Sequence, residues 1–146
     1  MVSMTDAEWQ ECLAQLEAHG KHIAAWESEP PNPSAARCVH SRHRTLAHLR
    51  ACQETWLEAC IAFQQKPGAR LKMLHPWRLF EQKGYASAPW DDHMTAFMAE
   101  RSQLLEVLRR VDRTIGGKVN ANEYTIEDLV AGRMAAHERH HLFTPR

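Results

Sequence analysis

Apolar residues recur along this chain at the three- and four-residue intervals that gather them on one face of a helix. The first such run carries Trp9, Leu13, Leu16, Ile23 and Trp26. Thr5-Asp6-Ala7-Glu8 marks its start as a capping box, in which Thr and Glu side chains each accept from the other's backbone N–H. Gly20 weakens its middle. Pro30-Pro31-Asn32-Pro33 ends it, because proline supplies no N–H and its ring clashes with the preceding turn. A second helix is expected from Asn32 as cap, with Pro33 in its first turn, to about Gln65. Its inner face carries Val39, Leu46, Leu49, Trp56, Cys60 and Phe63, and Lys66-Pro67-Gly68 stops it. Residues 69–90 hold Leu71, Met73, Leu74, Trp77, Leu79 and Phe80 but are broken by Pro76, Gly84 and Pro89. They read as a long connection with one or two helical turns, packed on the bundle through its aromatic rings. Asp91 or Asp92 is expected to cap a third long helix, with Phe97, Leu104, Leu105, Leu108 and Val111 inward. Gly116-Gly117 and residues 120–122 mark a loop. Thr125 then caps a last helix, whose positive end holds Glu127 and Asp128. No segment sustains a period of two, so no strand is expected. The pattern predicts a single all-α domain over residues 1–146, a four-helix bundle with a long crossover between helices 2 and 3.

Composition narrows the function classes. A chain of 146 residues is long enough to bury its own core. Eighteen Lys and Arg balance eighteen Asp and Glu, with no basic stripe, which argues against a nucleic-acid partner. The short run Arg42-His43-Arg44 reads as a solvated helix face. No apolar run approaches the roughly 20 residues of a membrane span, and the first residues lack the basic and apolar regions of a signal peptide. Cys12, Cys38, Cys52 and Cys60 fall in helical patterns without CxxC spacing, so no disulfide framework or zinc knuckle is expected, and a reducing cytoplasm is. Ten histidines are the one excess.

His137 and His141 stand four residues apart, on one helix face, where two imidazoles can reach one ion. They continue the stripe of Val130 and Met134, so both point where core residues belong. Two buried imidazoles without partners are costly, and a shared cation or a dense hydrogen-bond set has to compensate. Histidines at a helix C-terminus also complement the helix dipole, which is the plainer alternative. His140 falls off the stripe and is expected to be exposed. The string His137-Glu138-Arg139-His140-His141 has the form of a zincin protease, with Glu138 as general base. Only five residues follow His141, and no strand is expected to hold an extended peptide; both argue against that reading. Glu138 and His141 also form half of a di-iron signature, but no other Glu has a His three residues on.

A third ligand is sought on helix 2. At about 100° per residue, His48 lies nearest the apolar face, at its edge, while His40 points away and His43 is poorly placed. Cys52, one turn after His48, is either an extra ligand or a small buried hydrophobe. His19 and His22 form a further pair with no evident third partner.

Three stretches carry a family resemblance. They are Thr45-Leu46-Ala47-His48-Leu49 with Trp56 eight residues after the His; Phe97, Arg101 and residues 105–108; and Tyr124-Thr125-Ile126-Glu127-Asp128-Leu129 leading into residues 137–142. In this order they resemble the second, third and last helices of the DinB/YfiT-like superfamily. The resemblance implies an up-down-down-up four-helix bundle, often dimeric, with a three-histidine site for zinc, nickel or a similar divalent ion. It carries the ligands over to His48, His137 and His141. Members with known activity include thiol-dependent transferases and isomerases. The crossover residues His75, Trp77, Trp90 and His93 match no substrate pocket of the family. Three neutral imidazoles leave a coordination position open, the catalytic pattern. The expectation is a homodimeric metal-dependent enzyme that activates a small thiol or water, as a transferase or hydrolase, with a small-molecule substrate and no nucleic-acid or membrane partner. No general base is identifiable, since Glu138 points about 100° away from its neighbouring ligand. The rival is a non-catalytic, stress-related dimeric protein in which the ion fastens helices 2 and 4.

Overall fold

The computed structural model describes residues 3–31 and 41–143. Helix α1 (Asp6–Ala24) opens on the predicted capping box: the Thr5 hydroxyl accepts from the Glu8 N–H, and the Glu8 carboxylate from the Thr5 N–H. Trp9, Leu13, Leu16 and Ile23 are buried along it. Helix α2 (Arg42–Gln65) is capped by Ser41, whose hydroxyl accepts from the Arg44 N–H. The expected start at Asn32 and Pro33, with Val39 and His40, lies outside the described residues. Strand β1 (Arg70–Leu71) and the short helix α3 (Pro76–Gln82) precede the long helix α4 (Trp90–Arg110). Neither Asp91 nor Asp92 caps α4. Pro89 does so in an extended conformation, and both carboxylates fall in the first turn, where the helix dipole still favours them.

The expectation of an all-α fold without strands is corrected by a small three-stranded sheet. β2 (Gly116–Val119) and β3 (Asn122–Thr125) form an antiparallel hairpin, and β1 adds in parallel to the free side of β2. The two-residue turn sets Asn120 at φ 55°, a left-handed conformation that asparagine tolerates and tight hairpins require. The two glycines taken as loop signals are strand residues chosen for close approach. A Cβ on Gly116 would strike the Tyr124 carbonyl, and one on Gly117 the Ala69 carbonyl and the Phe63 ring.

The last helix starts at Thr125, which forms a capping box with Asp128. It runs through α5 (Ile126–Asp128), a π-helical stretch (Leu129–Ala136) and α6 (His137–Phe143). Wider π turns shift the phase expected of an α-helix. Val130, Met134 and Glu138, spaced by four, are buried, while His137 and His141 are half-buried at the side of that row.

Helix α4 packs on α1 and α2, and the π-helical stretch packs on the same two helices. The protein is thus a mostly helical bundle with a small sheet at one side. Leu16, Phe63, Leu104, Leu108, Ile126 and Leu129 are sealed in its interior. Helix α3 folds back onto α2, with Phe80 against Ala47 and Ala51. Among the described residues, no helix is long and apolar enough to cross a membrane.

A buried polar network runs through this core. Arg101 of α4, 2% exposed, donates from Nε to Gln53 Oε1 at 2.6 Å and from Nη1 to the Leu16 carbonyl at 2.8 Å. Both of its terminal nitrogens also bind the carboxylate of Glu138, itself 4% exposed. His19 Nδ1 lies 3.0 Å from the same carboxylate, and Gln53 Nε2 donates to the Phe97 carbonyl. Burial opposes ionisation of Glu138, yet Arg101 and His19 hold its carboxyl below the usual value. Gly20, which weakened the helical pattern, lets the Arg101 stem pass: a Cβ there would sit 3.3 Å from Arg101 Cγ.

Removing one partner of such a pair strands a buried charge, which costs about 3–5 kcal/mol. Arg101→Met is therefore expected to lower unfolding free energy by that amount in urea titrations. Arg101→Met combined with Glu138→Met should recover most of it; an undiminished loss in the double variant would mean that packing, not charge pairing, holds this region.

Candidate metal centre

Helix α2 carries His48 and Cys52 one turn apart, with Cys52 Sγ 3.6 Å from His48 Nε2. The last helix brings His137 and His141 against them, their Nε2 atoms 3.1 Å apart. Ring centroids are 5.3 Å apart for His48 and His137, 5.0 Å for His48 and His141, and 4.4 Å for His137 and His141. The three histidines singled out in the sequence thus come together, from elements about ninety residues apart in the chain.

One donor atom from each of His48, Cys52 and His137 lies within 4.8 Å of the others, so this group could hold a metal ion. Two bonds of about 2.0–2.1 Å at a tetrahedral angle place ligand nitrogens about 3.3 Å apart, and a bond of about 2.3 Å to sulfur places it about 3.6 Å from a nitrogen. The observed 3.1 Å and 3.6 Å separations fit these values closely. Cys52 is therefore both things its position allowed: buried, and at ligand distance.

These side chains face a cavity of about 180 Å³, lined also by Trp56, His75, Pro76, Trp77 and Arg133. Trp77 stacks on His48, with ring centroids 4.6 Å apart and planes 25° from parallel, so the crossover that matched no pocket supplies a wall of this one. Sequence reading missed that role because α3 meets α2 only through the tertiary fold. The other two crossover residues lie elsewhere. Trp90 packs in a second apolar cluster with Ile23 and Phe97, and His93 Nε2 lies 2.9 Å from the Tyr85 carbonyl.

Of the other described histidines, His19, His22 and His43 turn to other partners. His43 was read as part of a solvated face, but it is 1% exposed with Nε2 2.8 Å from the Ala88 carbonyl. His19 and His22 do not act as a pair, since His19 turns to Glu138 and His22 is exposed beside Phe143. His140 is exposed, as its phase predicts. Glu138 is pinned between Arg101 and His19 in the core, which deprives a zincin reading of its general base. That objection replaces the supposed lack of strands, which the hairpin removes.

Burial, and then the neighbouring His141 and His137, lower the pKa of His48 to about 3. Burial also lowers that of His137. Both rings are therefore neutral near pH 7, the state in which imidazole donates a lone pair. Cys52 is pushed up to about 12 by burial, with Glu138 adding to the effect, so without a cation it stays a thiol. His137 Nδ1 is buried without a hydrogen-bond partner, a cost this cluster sustains.

Compared with known proteins, the chain matches no family model, no curated protein and no solved structure. Its function has to be read from the site itself.

A group whose folded-state pKa is depressed gives stability that is present above its unfolded value and lost as pH falls toward the folded one. For His48 that window runs from about 6.5 down to about 3. Metal-free protein is expected to lose stability between pH 6.5 and 5, above the carboxylate range, in chemical denaturation series. His48→Gln should show a shallower loss; an unchanged slope would mean that His48 titrates normally in the fold.

Proposed function

We propose that this chain is a DinB/YfiT-like metal-dependent enzyme. It holds zinc or nickel on His48, His137 and His141 and activates a small thiol or water, as a transferase or hydrolase. The observation that carries this reading is that donor atoms of His48, Cys52 and His137 lie within 4.8 Å of one another, with the His141 ring 5.0 Å from that of His48 and 4.4 Å from that of His137. The packing of α1, α2, α4 and the last helix, with α3 in the crossover, is consistent with the bundle that the resemblance implies.

Bound there, a divalent ion supplies the Lewis acidity that makes a thiol or water nucleophilic at neutral pH. The chain's own residues orient and shelter. Trp77 fixes the plane of His48, and the helical register fixes His137 against His141. Among the described residues no carboxylate lines the cavity. His75 Nδ1 accepts from the Trp77 N–H as the cap of α3.

Cys52 favours a second reading. With it, four protein ligands would close a tetrahedral sphere, the structural pattern, and the ion would clamp α2 to the last helix of a non-catalytic, stress-related dimer. Cobalt distinguishes the two. Metal-free, untagged protein is expected to bind one equivalent, with affinity falling at least about a hundredfold in His137→Ala. In the enzyme, turnover of thiol-acceptor or ester substrates appears with the metal and vanishes on chelation. In the clamp, melting temperature rises without turnover, and Cys52→Ala removes a sulfur-to-cobalt charge-transfer band. Substoichiometric binding, with His48→Ala leaving affinity unchanged, would refute both.

A further inference from the structure

We infer that the substrate of this site is a small organic anion, and that Arg133 selects it. The inference rests on the metal-centre reading and names the substrate class for it.

Among the described residues lining the cavity there is no Asp or Glu, and Arg133 carries the one permanent charge. Arg50, Arg101 and Arg113, by contrast, are paired with carboxylates: Glu54, Glu138, and Asp6 with Glu127. Among the described residues no carboxylate pairs with Arg133. Its Nη2 donates to the Tyr124 hydroxyl at 3.1 Å, and its guanidinium sits 5.9 Å from the Trp56 ring centroid and 5.7 Å from that of Tyr124. One of five N–H donors is thereby used, and the aromatic shelf holds the planar fork in place.

Three imidazoles bring no negative charge to offset a divalent ion, and the single charge of a Cys52 thiolate would still leave it net positive. Ion and guanidinium together give a positive cavity between Trp56 and Trp77. A cationic ligand finds no counter-charge there, and a neutral one leaves the fork unused. An anion answers both, with its donor atom toward the ion and its charged group on Arg133, whose fork suits a carboxylate.

Cobalt-loaded protein provides the test, with thiophenol and 3-mercaptobenzoate as probes. A meta carboxylate cannot close a chelate ring onto the ion that its own sulfur binds, so any preference reports a contact with the protein. Changes in cobalt absorption give each Kd. The mercaptobenzoate is expected to bind about tenfold more tightly than thiophenol. Arg133→Gln should erase that preference while cobalt still loads to one equivalent and thiophenol still binds, and Arg133→Lys should keep part of it. Equal binding of the two thiols, or a preference that survives in Arg133→Gln, overturns the assignment of Arg133 and leaves the metal reading standing. Failure of cobalt to bind overturns both.

Discussion

The buried ion pair of Arg101 and Glu138 fixes the geometry on which the rest depends. Arg101 reaches from α4 to α1 through the Leu16 carbonyl, to α2 through Gln53 and to the last helix through Glu138. Such a pair adds little net stability, because desolvating two charges offsets most of their attraction. Its effect here is on register. With Glu138 drawn into the interior, the last helix cannot rotate without stranding a charge. His137 and His141 are thereby held toward α2, where His48 and Cys52 wait one turn apart.

The same constraint gives a sense to the π-helical stretch. On α-helical periodicity, His137 follows Val130 and Met134 into the core, and Glu138 points elsewhere. Wider turns over Leu129–Ala136 let Glu138 take the inward place, with the two histidines beside it at the half-buried edge. That edge opens on the cavity. Imidazoles placed fully in the core would meet no solvent.

Much of this was legible in the chain because it depends on local chemistry. The caps at Thr5 and Thr125, the apolar rows of α1 and α4 and the i,i+4 spacing of His137 and His141 are written within a few residues of each other. Helix phase made His48 the best-placed histidine of helix 2, and the family resemblance then pointed to it. The sheet was not legible, because four-residue strands are too short to show alternation and the Gly116-Gly117 pair imitates a loop. Its reason lies in the Ala69 carbonyl and the Phe63 ring, far off in sequence. Glu138 offered itself as a protease base or half of a di-iron signature, and not as a core ion-pair partner, for the same cause: its partners are 37 and 119 residues away. Trp77 likewise gains a role only when α3 lies on α2.

X-ray absorption at the zinc edge of untagged, zinc-loaded protein tests the metal centre most directly. Three histidines on one ion predict a first shell of nitrogens at about 2.0–2.1 Å with the outer scattering of imidazole rings, and a sulfur at about 2.3 Å if Cys52 joins them. A shell of oxygen alone, without imidazole scattering, would contradict the site.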